Sequence, residues 1–182
     1  MLAALMRRPV AIVLCLLTAL AGFAVGGCGE EEEIEVVEGE PLELGELGYN
    51  VQLTRFLNPD DNEDAEYLIG QDPAPPGQSY LGVFMVVENE SEDSVPSSSD
   101  YTVVDTTEQT FTPLDNESPY ALTPGEQVPA EGALPLSDTT AATGPIQGAM
   151  LLFLVPDSVT ENRPLELQIA GEDATGLVEL DI

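Results

Sequence analysis

Apolar and polar positions change rhythm along this chain, and the rhythm predicts strands. Leu47, Tyr49, Val51 and Leu53 alternate with Gly48, Asn50, Gln52 and Thr54, the period-two pattern of a half-buried strand. Leu165 to Ile169 alternates as cleanly, and Leu177 to Ile182 does so in part. Tyr80 to Val87 and Gly148 to Val155 are apolar on both faces, which predicts covered, central strands. By content the second of these could also be a buried helix, but Pro156 stops it after eight residues, a strand-like length. Tyr101 to Val104 and Gln109 to Thr112 form a short pair across Asp105 to Glu108, and Val128 to Leu136, interrupted by Pro129 and Pro135, suits an edge strand. Seven or eight short strands at turn-punctuated spacing, with no amphipathic helix after residue 28, predict an all-β fold: an antiparallel β-sandwich, with a barrel as the second architecture.

The connection after the first confident strand is long. Asn58-Pro59-Asp60-Asp61-Asn62-Glu63-Asp64 and Asp72-Pro73-Ala74-Pro75-Pro76-Gly77 bracket a short Tyr67-Leu68-Ile69, and long connections in compact domains often carry function. Asp60, Asn62 and Asp64 match the alternating oxygens that open a calcium loop. Ala65 stands where glycine would make the sharp turn and Gln71 where glutamate would close the loop, which excludes an EF-hand. These three residues are therefore candidates for a looser calcium site, against the plain alternative of an acidic turn. Asp105-Thr106-Thr107 and Asp138-Thr139-Thr140 share two positions of three with the Asp-Thr-Gly of aspartic proteases but lack the glycine, and are read as turns. Asn89-Glu90-Ser91 and Asn116-Glu117-Ser118 fit the glycosylation sequon, and turn chemistry accounts for both asparagines.

Composition narrows the chemistry further. All 34 acidic residues of the 182 lie after Cys28, where only Arg55 and Arg163 oppose them, leaving a formal charge of −32. That field repels nucleic acid and anionic headgroups and favours a soluble monomer. A salt-rich habitat would relieve the self-repulsion, since the Debye length falls to roughly 3 Å near 1 M salt. Both arginines are expected to serve as partners for neighbouring carboxylates. Histidine, lysine and tryptophan are absent. Their absence excludes Ser-His-Asp and Cys-His catalysis, imidazole metal sites, Schiff bases and the phosphate-loop lysine. Carboxylate chemistry remains, and it needs two acids held at a set distance with their pKa values driven apart.

The N-terminus has the layout of a secretory signal: Arg7 and Arg8, an apolar run from Val10 to Val25, then small residues before a cysteine. Spacing alone leaves a cleaved signal, a signal anchor and a cleaved lipoprotein open. Val25-Gly26-Gly27-Cys28 resembles the bacterial lipobox. The resemblance implies a diacylglyceryl group on the Cys28 thiol, cleavage before that residue, and attachment to the extracytoplasmic face of the bacterial cell membrane. The other cysteine, Cys15, lies inside the apolar run, so the mature chain would carry no disulfide. The expected organisation is a signal peptide over 1–27, an acidic tether over 28–45 that could reach about 50 Å at about 3.6 Å per residue, and a sandwich over 46–182. Ile34 to Val37 could instead join a sheet edge. The residues from Cys28 to Ile182 are enough for one domain.

Leu81 to Asn89, Tyr101-Thr102-Val103-Val104-Asp105, Leu122-Thr123-Pro124-Gly125-Glu126 and Gly148 to Pro156 follow one another in an order similar to the immunoglobulin-like domain of unknown function found in many bacterial lipoproteins, sometimes labelled telomeric-repeat-binding-factor-like. That family carries no agreed catalytic residues, and none are implied here. The expected function is a noncatalytic, membrane-anchored module that binds a protein or another envelope component, without nucleic acid and without a cofactor other than possible calcium. Calcium-dependent binding through Asp60 to Asp64 and a carboxylate hydrolase are the alternatives.

Overall fold

The computed structural model describes residues 32–182. Its centre is built from the two stretches that are apolar at successive positions. β1 (Glu32–Val37), β2 (Leu42–Leu44), β3 (Leu47–Leu57), α1 (Asp64–Tyr67) and β4 (Gln78–Asn89) come first. β5 (Val95–Pro96), β6 (Tyr101–Val104), β7 (Thr110–Phe111), β8 (Gln127–Val128) and β9 (Gly132–Leu134) follow, then α2 (Thr140–Thr143), β10 (Ala149–Pro156), a 3-10 turn over Asp157–Thr160, β11 (Leu165–Ala170) and β12 (Ala174–Leu180). One sheet has the order β1-β12-β11-β6-β7. The second runs β10-β4-β3-β2, with β9 also pairing to β4, and β5 and β8 form a separate two-stranded ribbon. The ladders are antiparallel except β1 with β12.

The two sheets share one core. Leu81, Val83, Met85 and Val87 from β4 and Leu151, Phe153 and Val155 from β10 meet Val103, Leu165, Leu167, Ile169, Val178 and Leu180 of the other sheet. This is the β-sandwich that alternation predicts for β11 and β12. The intervening positions of β4 and β10 face outward, yet Tyr80, Phe84, Met150 and Leu152 are also buried, in a second cluster with Leu57, Tyr67, Leu68, Tyr120 and Ala141. Two full cores on one sheet explain why these strands are apolar on both faces.

The cover over that outer face is the long connection. Tyr67 is 1% exposed, and its ring meets Phe84 edge-on at 5.0 Å between centroids and Tyr120 at 4.6 Å. Such aromatic pairs add about 0.5–1.5 kcal/mol beyond their buried area. The segment expected to be a functional loop is thus a packed cap in its middle.

Two further expectations change. The acidic segment expected to be a tether through residue 45 is strand at 32–37 and again at 42–44, so the sheet-edge alternative for Ile34 to Val37 is the one observed. Ile34 and Val36 pack on the core while Glu33 and Glu35 face solvent. Leu42 is fully buried over Gly176, where a Cβ would come within 2.3 Å of Leu42 Cδ2. Leu53 does not share a face with Leu47, Tyr49 and Val51, because a bulge between Val51 and Leu53 shifts the register and sends Leu53 to the second cluster. An extra residue in one strand reverses the facing of everything after it.

Candidate functional site

The sandwich has two ends. The turns at 45–46, 90–94 and 171–173 gather at one, where Leu47 pairs with Asn89 and Ala170 with Thr175. The connection at 58–77, the β6–β7 hairpin and the 3-10 turn gather at the other, where the Asp157 amide donates to the Gly77 carbonyl and the Thr106 amide to the Asn162 carbonyl.

A carboxylate-lined groove runs over the outer face of the second sheet at the first end. Glu43, Gly48 and Glu88 are register partners across β2, β3 and β4, and Glu88 is in turn opposite Ala133 of β9. Gly48 presents no side chain, and a Cβ there would lie 3.4 Å from Glu43 Oε1, so the Glu43 carboxylate rests over the middle strand. A depression of about 260 Å³ lined by Glu43, Glu46, Glu88 and Glu90 adjoins a wider one lined by Glu88, Glu90 and Glu131. All five glutamates are exposed. This surface concentrates cations by its field. The hydroxyl that lines it, that of Ser91, is hydrogen-bonded to Asn89 Oδ1 at 2.8 Å and the Asp93 carbonyl at 3.0 Å, away from any carboxylate base. The clue in the sequence was Leu42-Glu43-Leu44, whose alternation marks Glu43 as outward, with Gly48 just beyond it.

Asn89 closes this end from inside. It is 2% exposed, and its amide nitrogen donates to the carbonyls of Asp93 at 2.8 Å, Val128 at 3.2 Å and Pro129 at 3.0 Å. Its side-chain oxygen accepts from the Ser91 amide at 3.0 Å and the Ser91 hydroxyl at 2.8 Å. The asparagine read as a turn residue therefore ties β4 to the following turn and to β8, and its amide is committed to these bonds.

The calcium candidates are not brought together. Asp60 and Asn62 are exposed, whereas Asp64 is 3% exposed and ion-paired with Arg55. The other Asp64 oxygen accepts from the Asn58 amide at 2.8 Å. Asp61 accepts from the Glu63 amide at 2.8 Å and the Asp64 amide at 3.3 Å, which coils the chain into α1 and turns Asp64 inward. Alternating side chains do not converge from a helical turn. Among the described residues no group of three or more His, Cys, Asp or Glu side chains is placed to hold a metal ion. Cys28 and the lipobox residues Val25, Gly26 and Gly27 lie outside the described residues. Arg163 is exposed, and Arg55–Asp64 is the only ion pair among the described residues, so the expectation of a carboxylate partner holds for Arg55 and not for Arg163.

Asp105 is the other buried carboxylate among the described residues, 5% exposed at the start of the β6–β7 turn. Burial acts to raise its pKa, but the Thr107 hydroxyl at 2.7 Å, the amides of Gln109 and Thr107 at 3.0 and 2.8 Å, and Asn162 Nδ2 at 3.1 Å outweigh it and hold the carboxyl below its usual range. Desolvation pushes the phenols of Tyr49 and Tyr101 upward inside the main core, where Tyr49 Oη accepts from the Ser98 amide at 2.8 Å.

No family model matches the chain, and no curated protein matches its sequence. Solved structures similar to it include an uncharacterised β-sandwich protein from Clostridium difficile, at a TM-score of 0.52 and 14% identity over 84% of this chain and 97% of that one. The yjhA protein from Bacillus subtilis aligns at a TM-score of 0.53 and 16% identity, over 80% of this chain and 99% of that one. A provisionally assigned lipoprotein (ycdA) from Bacillus subtilis reaches a TM-score of 0.49 and 14% identity over 80% of this chain and 39% of its own. The likeness to the first two is one of fold, and with the sheet order above it makes this chain an all-β protein of β-sandwich architecture.

Proposed function

We propose that this chain is a lipid-anchored, extracytoplasmic, noncatalytic binding module of the immunoglobulin-like lipoprotein kind. The observation that carries the reading is the apolar run ending in Val25-Gly26-Gly27-Cys28, followed within four residues by the first strand of a folded sandwich. Lipid chains contribute roughly 0.8 kcal/mol per buried CH₂, so two or more hold a domain stably at a bilayer. An anchored module gains effective concentration at the surface, which suits weak binding to a neighbouring protein or envelope polymer.

The noncatalytic part is supported by the buried acids. Asp64 and Asp105 spend their oxygens on an ion pair and on hydrogen bonds within the fold. The groove glutamates are exposed, whereas the desolvation that makes a carboxylate general acid requires burial.

Expression of the full chain in a bacterial host, followed by intact-mass analysis, tests the anchor. The expected product begins at Cys28, carries a diacylglyceryl mass and partitions with membranes, and Cys28→Ala abolishes the lipid mass. An unmodified thiol at residue 28 overturns the reading. Crosslinking in intact cells, with the Cys28→Ala variant as the comparison, then identifies what the module touches.

A further inference from the structure

We infer that the domain stands on the bilayer by its carboxylate-rimmed end and is held off anionic headgroups by that same end, its far end being presented outward; this rests on lipidation at Cys28. Connectivity sets the direction. Cys28 precedes the first strand residue, Glu32, by four residues, a span of no more than about 14 Å of extended chain. Glu32 is the register partner of Ala174, which follows the turn at 171–173, and β1 runs parallel to β12 away from that turn. The end that holds residues 171–173 is therefore the end the anchor reaches.

The far end cannot approach the lipid equally. β3 alone runs 11 residues between the two ends, roughly 36 Å at about 3.3 Å per residue. The charge at the near end is one-signed: Glu46, Glu92, Asp93, Asp100, Glu172 and Asp173 are all exposed there beside the groove. Both arginines after residue 28 belong elsewhere: Arg55 pairs with Asp64 beside the connection at 58–77, and Arg163 precedes β11 at the far end. Headgroups carrying negative charge are repelled by this rim across about a Debye length, so the stand-off depends on salt.

The test uses the full chain, processed and lipidated in the cell, with one cysteine introduced at exposed Glu172 (E172C) or exposed Thr107 (T107C). Cys15 lies within the expected signal and the Cys28 thiol carries the lipid, so the introduced thiol alone takes a fluorophore. Energy transfer to an acceptor on the headgroups is measured in phosphatidylcholine vesicles and in vesicles one-third phosphatidylglycerol. The expected result is several-fold stronger transfer from position 172 than from 107. Phosphatidylglycerol at 20 mM salt should lower transfer from position 172, and 1 M salt should restore it. With the lipid mass confirmed, equal or reversed transfer from the two positions overturns the orientation and leaves the anchor standing. No response to phosphatidylglycerol or salt overturns the stand-off. Absence of the lipid mass removes the anchor reading and this inference together.

Discussion

At the residue scale, the most consequential side chains are those that close hydrogen-bond inventories. Asn89 faces three carbonyl oxygens through one amide group. Asn89→Asp replaces the donor with a buried negative charge against those oxygens, and is expected to cost about 3 kcal/mol or more in urea unfolding, above the cost of Asn89→Ala at about 2 kcal/mol. Asp105 works through pH. Its folded pKa lies below the unfolded value, so its contribution is complete above the unfolded pKa near 4 and disappears as pH falls through the folded value. The stability difference between the parent and Asp105→Asn should therefore be large at pH 6 and shrink steadily below pH 4. Equal differences at pH 6 and pH 3 would show that the Asp105 charge contributes nothing.

At the element scale, the cap over the second sheet is the feature to test. Tyr67 fills it with a ring, but its hydroxyl is buried without a hydrogen-bond partner. Tyr67→Ala should cost about 3–5 kcal/mol through the cavity it opens, whereas Tyr67→Phe should be neutral or slightly stabilising because it removes an unsatisfied group. Thermal melts of the two variants separate ring from hydroxyl. This element also marks where the sequence was readable and where it was not. β4 and β10 were plain because apolar content at successive positions needs cover on both faces, and local pattern carries that information. What covers the outer face was hidden, since Tyr67 and Leu68 stand as an isolated pair amid acids and prolines and their burial depends on Phe84 and Tyr120, distant in sequence. β1 was obscured for a related reason: its partner β12 is more than a hundred residues away and its solvent face is glutamate. The groove row Glu43-Gly48-Glu88 requires the register of three strands, which no spacing in the chain reveals. The D-x-N-x-D spacing at Asp60 misled because Asp64 answers to Arg55, a contact made across the end of β3.

At the scale of the whole molecule, charge and topology act together. With a formal charge of −32 from Cys28 onward, the folded state carries a repulsion that salt relieves. The melting midpoint should rise by several degrees between 20 mM and 1 M sodium chloride, measured by circular dichroism at neutral pH; a flat or falling midpoint would show that the surface charges are already dispersed enough to be harmless. The strand that opens the described chain and the one that nearly ends it lie side by side and parallel, joined over six register positions from Glu32↔Ala174 to Val37↔Glu179. Tension applied between the chain's two termini would load that ladder lengthwise, so its bonds would share the force and yield together instead of peeling singly. A body fastened ahead of β1 and tugged beyond β12 would thus resist force better than one whose end strands could unzip pair by pair.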